Sequence, residues 1–320
     1  MPTDLLPRTI ADMPAQKASA PASPAQSRGR FFNTGNAFNL KLPPVPDHVF
    51  TEEPLRALDP ATPTGLIPCD LSAALDCLFP ATTPLVLVRY AKIRAGETLT
   101  TDFAASGIVV YVIRGSGTTS CAGESIAWSE GDLFILPGGV RAMHAAASAD
   151  AVLWMVTNEP ALGFERLAPP APGQAPTDVV HYTADEIARQ IELIYEVGRD
   201  EEIAGSALVF SAEGQEATRN ILPTLTVAMN SLPAGVAQRP HRHNAVAVSL
   251  IIRGERCFSL IDGRRKEWAP WATTITPPVS VHSHHNDGDE QALFLIIQDG
   301  GLYYHTRAMG FEFAEHPEQA

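Results

Sequence analysis

Two short stretches, Pro240-His241-Arg242-His243-Asn244 and Val279-Ser280-Val281-His282-Ser283-His284-His285-Asn286-Asp287, hold five of the ten histidines of this 320-residue chain. In an extended strand alternate side chains share a face, so His241 and His243 point one way and Arg242 the other. Two imidazoles about 7 Å apart along a strand can meet one ion only by converging on it, and a third ligand must come from a neighbouring strand. His282 is placed to supply it, because the intervening sequence reads as short apolar strands joined by turns. A His-x-His pair alone is two polar residues at a strand entry. With a histidine-rich turn at the far end of an all-β unit it points to a metal centre.

Outward from these histidines the pattern is β over residues 224–229, 245–252, 257–261, 273–276 and 292–297, with Asp262-Gly263 as a hairpin turn. A second β region lies upstream, over 85–90, 107–113, 132–136 and 151–156, punctuated by Gly115, Gly117, Gly123, Gly131, Pro137 and Gly138-Gly139. Short strands at this spacing predict small barrels or sandwiches. Between the two regions, residues 168–176 are a Pro-rich linker. A helix follows, with Thr183 as N-cap, Glu186 completing a capping box, Ile187, Ile191, Leu193, Ile194 and Val197 at helical spacing, and Gly198 as its stop. Residues 1–30, rich in Pro, Ala, Ser and Gln, predict a flexible tail, with folding beginning near Phe31.

The two β regions are copies of one unit. Val112-Ile113-Arg114-Gly115 matches Ile251-Ile252-Arg253-Gly254, Trp128 matches Trp268, and Leu136-Pro137 matches Thr276-Pro277, at an offset of 139 to 140 residues. At the positions of His241 and His243 this offset places Asp102 and Ala104 in the first copy, and His144 falls opposite His284. The first copy therefore reads as lacking a metal site, with His144 an ordinary surface or loop histidine. The chain divides into a tail (1–30), a first barrel (31–165), a linker and helix (166–205) and a metal-binding barrel (206–320).

Thirty-six acidic against 23 basic residues give a formal charge of −13, which argues against nucleic acid and anionic membrane surfaces as partners. No stretch approaches the roughly 20 apolar residues of a membrane span, and the first residues lack the charged and apolar regions of a secretion signal. Cys69, Cys77, Cys121 and Cys257 are scattered without paired spacing and read as reduced thiols of a cytoplasmic protein.

The second copy resembles the cupin superfamily, and more narrowly the two-cupin gentisate 1,2-dioxygenase group with its salicylate and hydroxynaphthoate ring-cleaving members. The residues that carry the resemblance are His241-Arg242-His243, Gly254, Asp262-Gly263, Thr276-Pro277, His282-Ser283-His284-His285-Asn286 and Gly288-Asp289-Glu290, within about residues 222–304. It implies an all-β fold of two cupin barrels (double-stranded β-helix, jelly-roll) with a linking helix. It also implies Fe(II) held by His241, His243 and His282, and His284 beside the substrate as the catalytic proton donor or acceptor. The implied reaction is dioxygenase cleavage of a hydroxylated aromatic acid or a related oxygen-chelating small molecule, with dioxygen as co-substrate and a homo-oligomer as the assembly.

Two departures stand out: the metal would sit in the second barrel instead of the first, and the family's carboxylate-holding arginine is replaced by Ser249. Arg239, of the same strand parity as the histidines, is the candidate substitute, and Trp271 a candidate wall of the substrate pocket. Ala247 and Val248 stand where many cupins carry a glutamate ligand, so three histidines are the expected set. Three imidazoles alone would also accept zinc or nickel. A metal-dependent isomerase, hydrolase or decarboxylase, or a non-enzymatic ligand-binding cupin, therefore stays open.

Overall fold

The computed structural model describes residues 8–197 and 205–314, in two compact units divided between Pro43 and Pro44. The first unit contains the stretch expected to be a flexible tail, whose first seven residues lie outside those described. Its local structure consists of short helices at Ile10–Asp12, Pro24–Arg28 and Thr34–Ala37, and a β-bridge between Gln16 and Phe31. The composition that argued for flexibility also suits helix starts. Ser23 caps the helix that opens on Pro24, and Asn33 accepts from the backbone of Gly35 and Asn36.

The second unit carries both β copies, each as a pair of antiparallel sheets. In the first copy a six-stranded sheet runs Val180–Tyr182, Leu133–Pro137, Gly107–Arg114, Ala151–Thr157, Leu87–Ile93, Gly65–Cys69. Facing it is a four-stranded sheet in the order Thr98–Thr101, Ala142–Ala146, Ser116–Cys121, Glu124–Ser129. The second copy repeats this with Val49–Phe50, Thr273–Thr276, Ala247–Arg253, Ala292–Gln298, Thr226–Leu232 and Ser206–Phe210. Its second sheet is Arg264–Glu267, Cys257–Ile261, His282–Asn286, His241–His243 and Phe311–Phe313. The architecture is all-β, with two cupin barrels, as the resemblance implied.

The internal repeat extends to irregularities. A register shift falls between Val152 and Leu153 opposite Arg114 and Val112, and again between Ile251 and Arg253 opposite Phe294 and Leu293. The extra residue is thus Ile113 in one copy and Ile252 in the other, the same place in both. Asp262 and Gly263 both have positive φ, as the predicted two-residue hairpin demands.

The two barrels share one hydrophobic core, in which Tyr90, Trp154 and Val156 of the first pack with Val248, Ile275 and Leu295 of the second. Polar atoms inside that core are paired across the barrels. Trp154 Nε1 donates to Thr273 Oγ1 at 2.9 Å, and Tyr90 Oη donates to the Trp271 carbonyl at 2.5 Å. The helix Ala184–Val197 lays Ile187 and Ile191 on this core, while Leu193 and Val197 are exposed. Half of the predicted box is present, with Thr183 Oγ1 accepting from Glu186 N at 3.4 Å. Ala184 N donates to Asp132 Oδ1 at 2.8 Å from the neighbouring barrel, and the Glu186 carboxylate takes Arg189 and Gln190 instead of the Thr183 backbone. Gly198, the expected stop, lies outside the described residues. Among the described residues no helix is long and apolar enough to cross a membrane.

Candidate metal centre

The strand His241–His243 is buried, exposed, buried in turn, as its alternation requires. Arg242 faces out and pairs with Glu312 on Phe311–Phe313, the strand that flanks it. On the other side His241 stands directly opposite His282. The imidazoles of His241, His243 and His282 therefore meet inside the second barrel, with ring centroids 4.3 Å (241–282), 4.8 Å (243–282) and 5.9 Å (241–243) apart. One nitrogen of each lies within 4.8 Å of the other two.

Hydrogen bonds decide which nitrogen that is. Nδ1 of His241 lies 2.9 Å from the Arg239 carbonyl, Nδ1 of His243 2.8 Å from that of Ala245, and Nδ1 of His282 2.9 Å from that of Ser280. A carbonyl oxygen only accepts, so each Nδ1 carries the hydrogen and each Nε2 keeps its lone pair. Burial drives all three pKa values down, His282 to about 3 with His241 adding to the effect, so the rings are neutral. Three neutral, oriented, convergent lone pairs fit a divalent cation.

His284 lies beside this cluster, held through a hydroxyl instead of a backbone carbonyl. Trp268 Nε1 donates to Ser259 Oγ at 2.8 Å, and the same oxygen lies 2.8 Å from His284 Nδ1. The hydroxyl accepts the indole hydrogen on one lone pair, which leaves its own hydrogen available to Nδ1; with that bond made, the His284 proton sits on Nε2. Complete burial pushes its pKa well below the usual histidine value. His284 lines the same cavity as the three ligand candidates, a space of about 210 Å³. Its remaining wall includes the amides of Asn230, Gln238 and Gln298, the small residues Ala207 and Ala247, and Phe311. A larger cavity of about 770 Å³ at Arg253, Glu255, Arg256, Asp289 and Glu290 has no imidazole in its lining.

Not every residue singled out in the sequence is here. Trp271 does not line the cavity. It packs against the shared core with φ at +63°, and its carbonyl is tied to Tyr90, because the turn before Thr273–Thr276 faces the other barrel. Arg239 does not line it either. Its guanidinium stacks 3.8 Å over the Phe313 ring, and it serves the site through the carbonyl that orients His241. His285 faces away, stacked on Phe258 at 4.6 Å, and Asn286 ties the strand end to the carbonyls of Leu232, Pro233 and Glu290. The three amides carry no motif. The one trace in the sequence is Gln298, the single polar residue of the otherwise apolar strand Ala292–Gln298; Asn230 shares Thr226–Leu232 with Thr226 and Ser231.

The first barrel corrects two further expectations. Strand pairing sets Thr101 opposite Ala142 as His241 is set opposite His282, so the counterparts of His241 and His243 are Thr101 and Phe103, not Asp102 and Ala104. The loop after Thr101 is one residue longer than its copy, and a one-residue slip exchanges the inner and outer faces. Thr101 and Phe103 are indeed buried, while Asp102 and Ala104 are exposed. His144, expected at the surface, is fully buried in the strand Ala142–Ala146.

No family model matches the chain. A 5-aminosalicylate 1,2-dioxygenase of Comamonas sp is 34% identical over 81 residues, 25% of this chain and 22% of the relative. A gentisate 1,2-dioxygenase of Ralstonia sp is 30% identical over 82 residues, 26% of this chain and 23% of the relative. The chain thus matches less than a quarter of the length of these curated relatives. Among solved structures, a salicylate 1,2-dioxygenase from Pseudaminobacter salicylatoxidans superposes with a TM-score of 0.72 over 86% of this chain and 89% of its own, at 14% identity. Fold and histidine cluster together define a two-barrel cupin with a candidate metal centre in its second barrel. Within that class the protein resembles the gentisate and salicylate 1,2-dioxygenase group.

Proposed function

We propose that the protein is an iron(II)-dependent dioxygenase that cleaves a hydroxylated aromatic acid or a related substrate chelating through two oxygens. The observation that carries this is the convergence of three buried, neutral imidazoles whose Nε2 lone pairs are set by backbone carbonyls. His241, His243 and His282 hold the ion, and the first barrel holds none. Iron(II), when bound, supplies an uncompensated +2 charge, open coordination positions and the redox capacity that dioxygen chemistry needs.

The remaining wall binds and orients the substrate. His284 presents Nε2–H to a substrate oxygen and holds or returns a proton there. Gln238 Oε1, buried without a hydrogen-bond partner, is an acceptor for a substrate hydroxyl. Since an apolar cavity of roughly 150 Å³ holds one benzene, a space of about 210 Å³ suits a single substituted ring. Among the described residues no arginine or lysine lines it, so the substrate carboxylate is expected at the cation itself. The local identity to dioxygenases acting on aminosalicylate and gentisate supports the same substrate class. The four free cysteines fit a cytoplasmic protein, and a homo-oligomer is carried over from the resemblance.

The test is anaerobic reconstitution with iron(II), followed by oxygen uptake against monocyclic hydroxybenzoates, aminosalicylates and small diketones. Equimolar loss of oxygen and substrate is the expected result. Stoichiometric iron with no uptake across the panel overturns the reading. Turnover with zinc or nickel without oxygen reassigns the site to a Lewis-acid enzyme.

A further inference from the structure

The strand Ala292–Gln298 ends inside the second barrel, and the side chain of its last residue reaches the histidine cluster. Gln298 Nε2 lies 3.1 Å from His243 Nε2, the nitrogen whose lone pair is free because Nδ1–H is given to the Ala245 carbonyl. The amide N–H donates to that lone pair. An ion taking the lone pair would displace this hydrogen bond and bring a cation to where an N–H points.

An amide answers such a change by turning over. Oxygen and nitrogen of a glutamine occupy nearly the same positions, so a half-turn puts Oε1 where Nε2 stands. Its neighbours leave room for this. Gln298 sits between Ala247 on one side and Thr226 on the other, both small. The position is also that of a ligand. With bonds of about 2.1 Å, adjacent donors of an octahedral ion lie about 3 Å apart, close to the 3.1 Å observed. Ala247, beside it on the next strand, has no donor atom to offer.

We propose that Gln298 is a fourth ligand of the metal centre, through Oε1, making a three-histidine, one-amide set. This rests on the metal-site reading above. A neutral amide keeps the full +2 charge that three imidazoles leave, and it takes one open position, so two adjacent positions remain for a substrate chelating through two oxygens. Gln298 also lines a second cavity of about 550 Å³ with Asn220, Arg219 and Tyr304, so the ligated amide forms the wall between that space and the metal.

The experiment is cobalt(II) titration of metal-free full-length protein, followed by the visible spectrum and by competition with a chelator. Wild type, Gln298→Ala, Gln298→Asn and Gln298→Glu are compared after circular dichroism has shown them folded. Affinity should fall at least about tenfold in the Ala and Asn variants, the loss that removing even an outer partner of a ligand produces. It should return or rise in the Glu variant, and the cobalt spectrum should change in Ala and Asn. Should Gln298→Ala not fold, the Asn and Glu pair decides alone. Unchanged affinity and spectrum in Ala and Asn, or a Glu variant no better than Asn, overturns the ligand assignment while leaving the three-histidine site standing. A wild type that binds no divalent ion, with His282→Ala indistinguishable from it, overturns the metal site itself.

Discussion

The two barrels share one internal arrangement and differ at three positions. In the first, Trp128 Nε1 donates to Thr119 Oγ1 at 2.9 Å, which lies 2.8 Å from His144 Nδ1. In the second, Trp268, Ser259 and His284 repeat this chain. The histidine of the first barrel then closes on Thr101 Oγ1 at 3.1 Å, where the second barrel has His241. Phe103 fills the place of His243 with Arg89 stacked on its ring at 4.5 Å, and Ala142 the place of His282. The relay therefore needs no metal to persist. It satisfies a buried indole and a buried imidazole in both barrels, and only in the second does the imidazole line open space.

That difference predicts a graded set of outcomes. The largest effect belongs to the ligand positions. His282→Ala should lose more metal affinity than the roughly 10–100-fold that an outer partner is worth, and oxygen uptake with it. Chelator competition reads this directly, and retained affinity would remove the three-histidine site. In the first barrel the same face is packing. Phe103→Ala should cost about 3–5 kcal/mol in denaturant unfolding and leave metal stoichiometry unchanged; lost metal would mean the barrels are not divided in function.

Next comes the relay, tested by one deletion in each barrel. Thr119→Val and Ser259→Ala each orphan a buried indole N–H and an imidazole nitrogen, so each should destabilise by about 1–3 kcal/mol. Only Ser259→Ala should lower kcat, because only His284 lines the cavity where the substrate is proposed to bind. Equal kcat in both variants would reduce His284 to a core residue.

The smallest effect is a pH slope. Burial holds His144 at about 4, below its ordinary 6.5. The unfolded chain thus takes up the proton first, and stability is complete above about pH 6.5 and lost as pH falls towards about pH 4. Urea unfolding of metal-free wild type and His144→Gln across this window should show a difference that shrinks with acid. A constant difference would show that His144 is not held neutral.

Much of this was legible before any coordinates. Residues 257–261 and 273–276 are strands at the bounds read from the sequence, because β-branched and apolar runs between turn residues favour extended chain. His241 and His243 share a face because side chains alternate along a strand, and the turn at Asp262-Gly263 follows from its residues. What failed were inferences across a loop of unknown length. Reading Asp102 for Thr101 and leaving His144 at the surface both came from a register that only pairing sets. The amides were missed because Gln298 is a single polar residue in an apolar strand and neither Asn230 nor Gln238 belongs to a spaced motif.

The chain's own order of residues determined two β units, the shared face of His241 and His243 and three histidines able to meet, since alternation and repeats are local properties of a polymer. Only the folded molecule decided the rest. It chose Nε2 over Nδ1 at each of the three convergent histidines, turned Trp271 and Arg239 away from the cavity and brought Gln298 within 3.1 Å of His243. Those outcomes depend on which carbonyl or ring lies opposite a side chain, and that is settled by packing between strands distant in sequence.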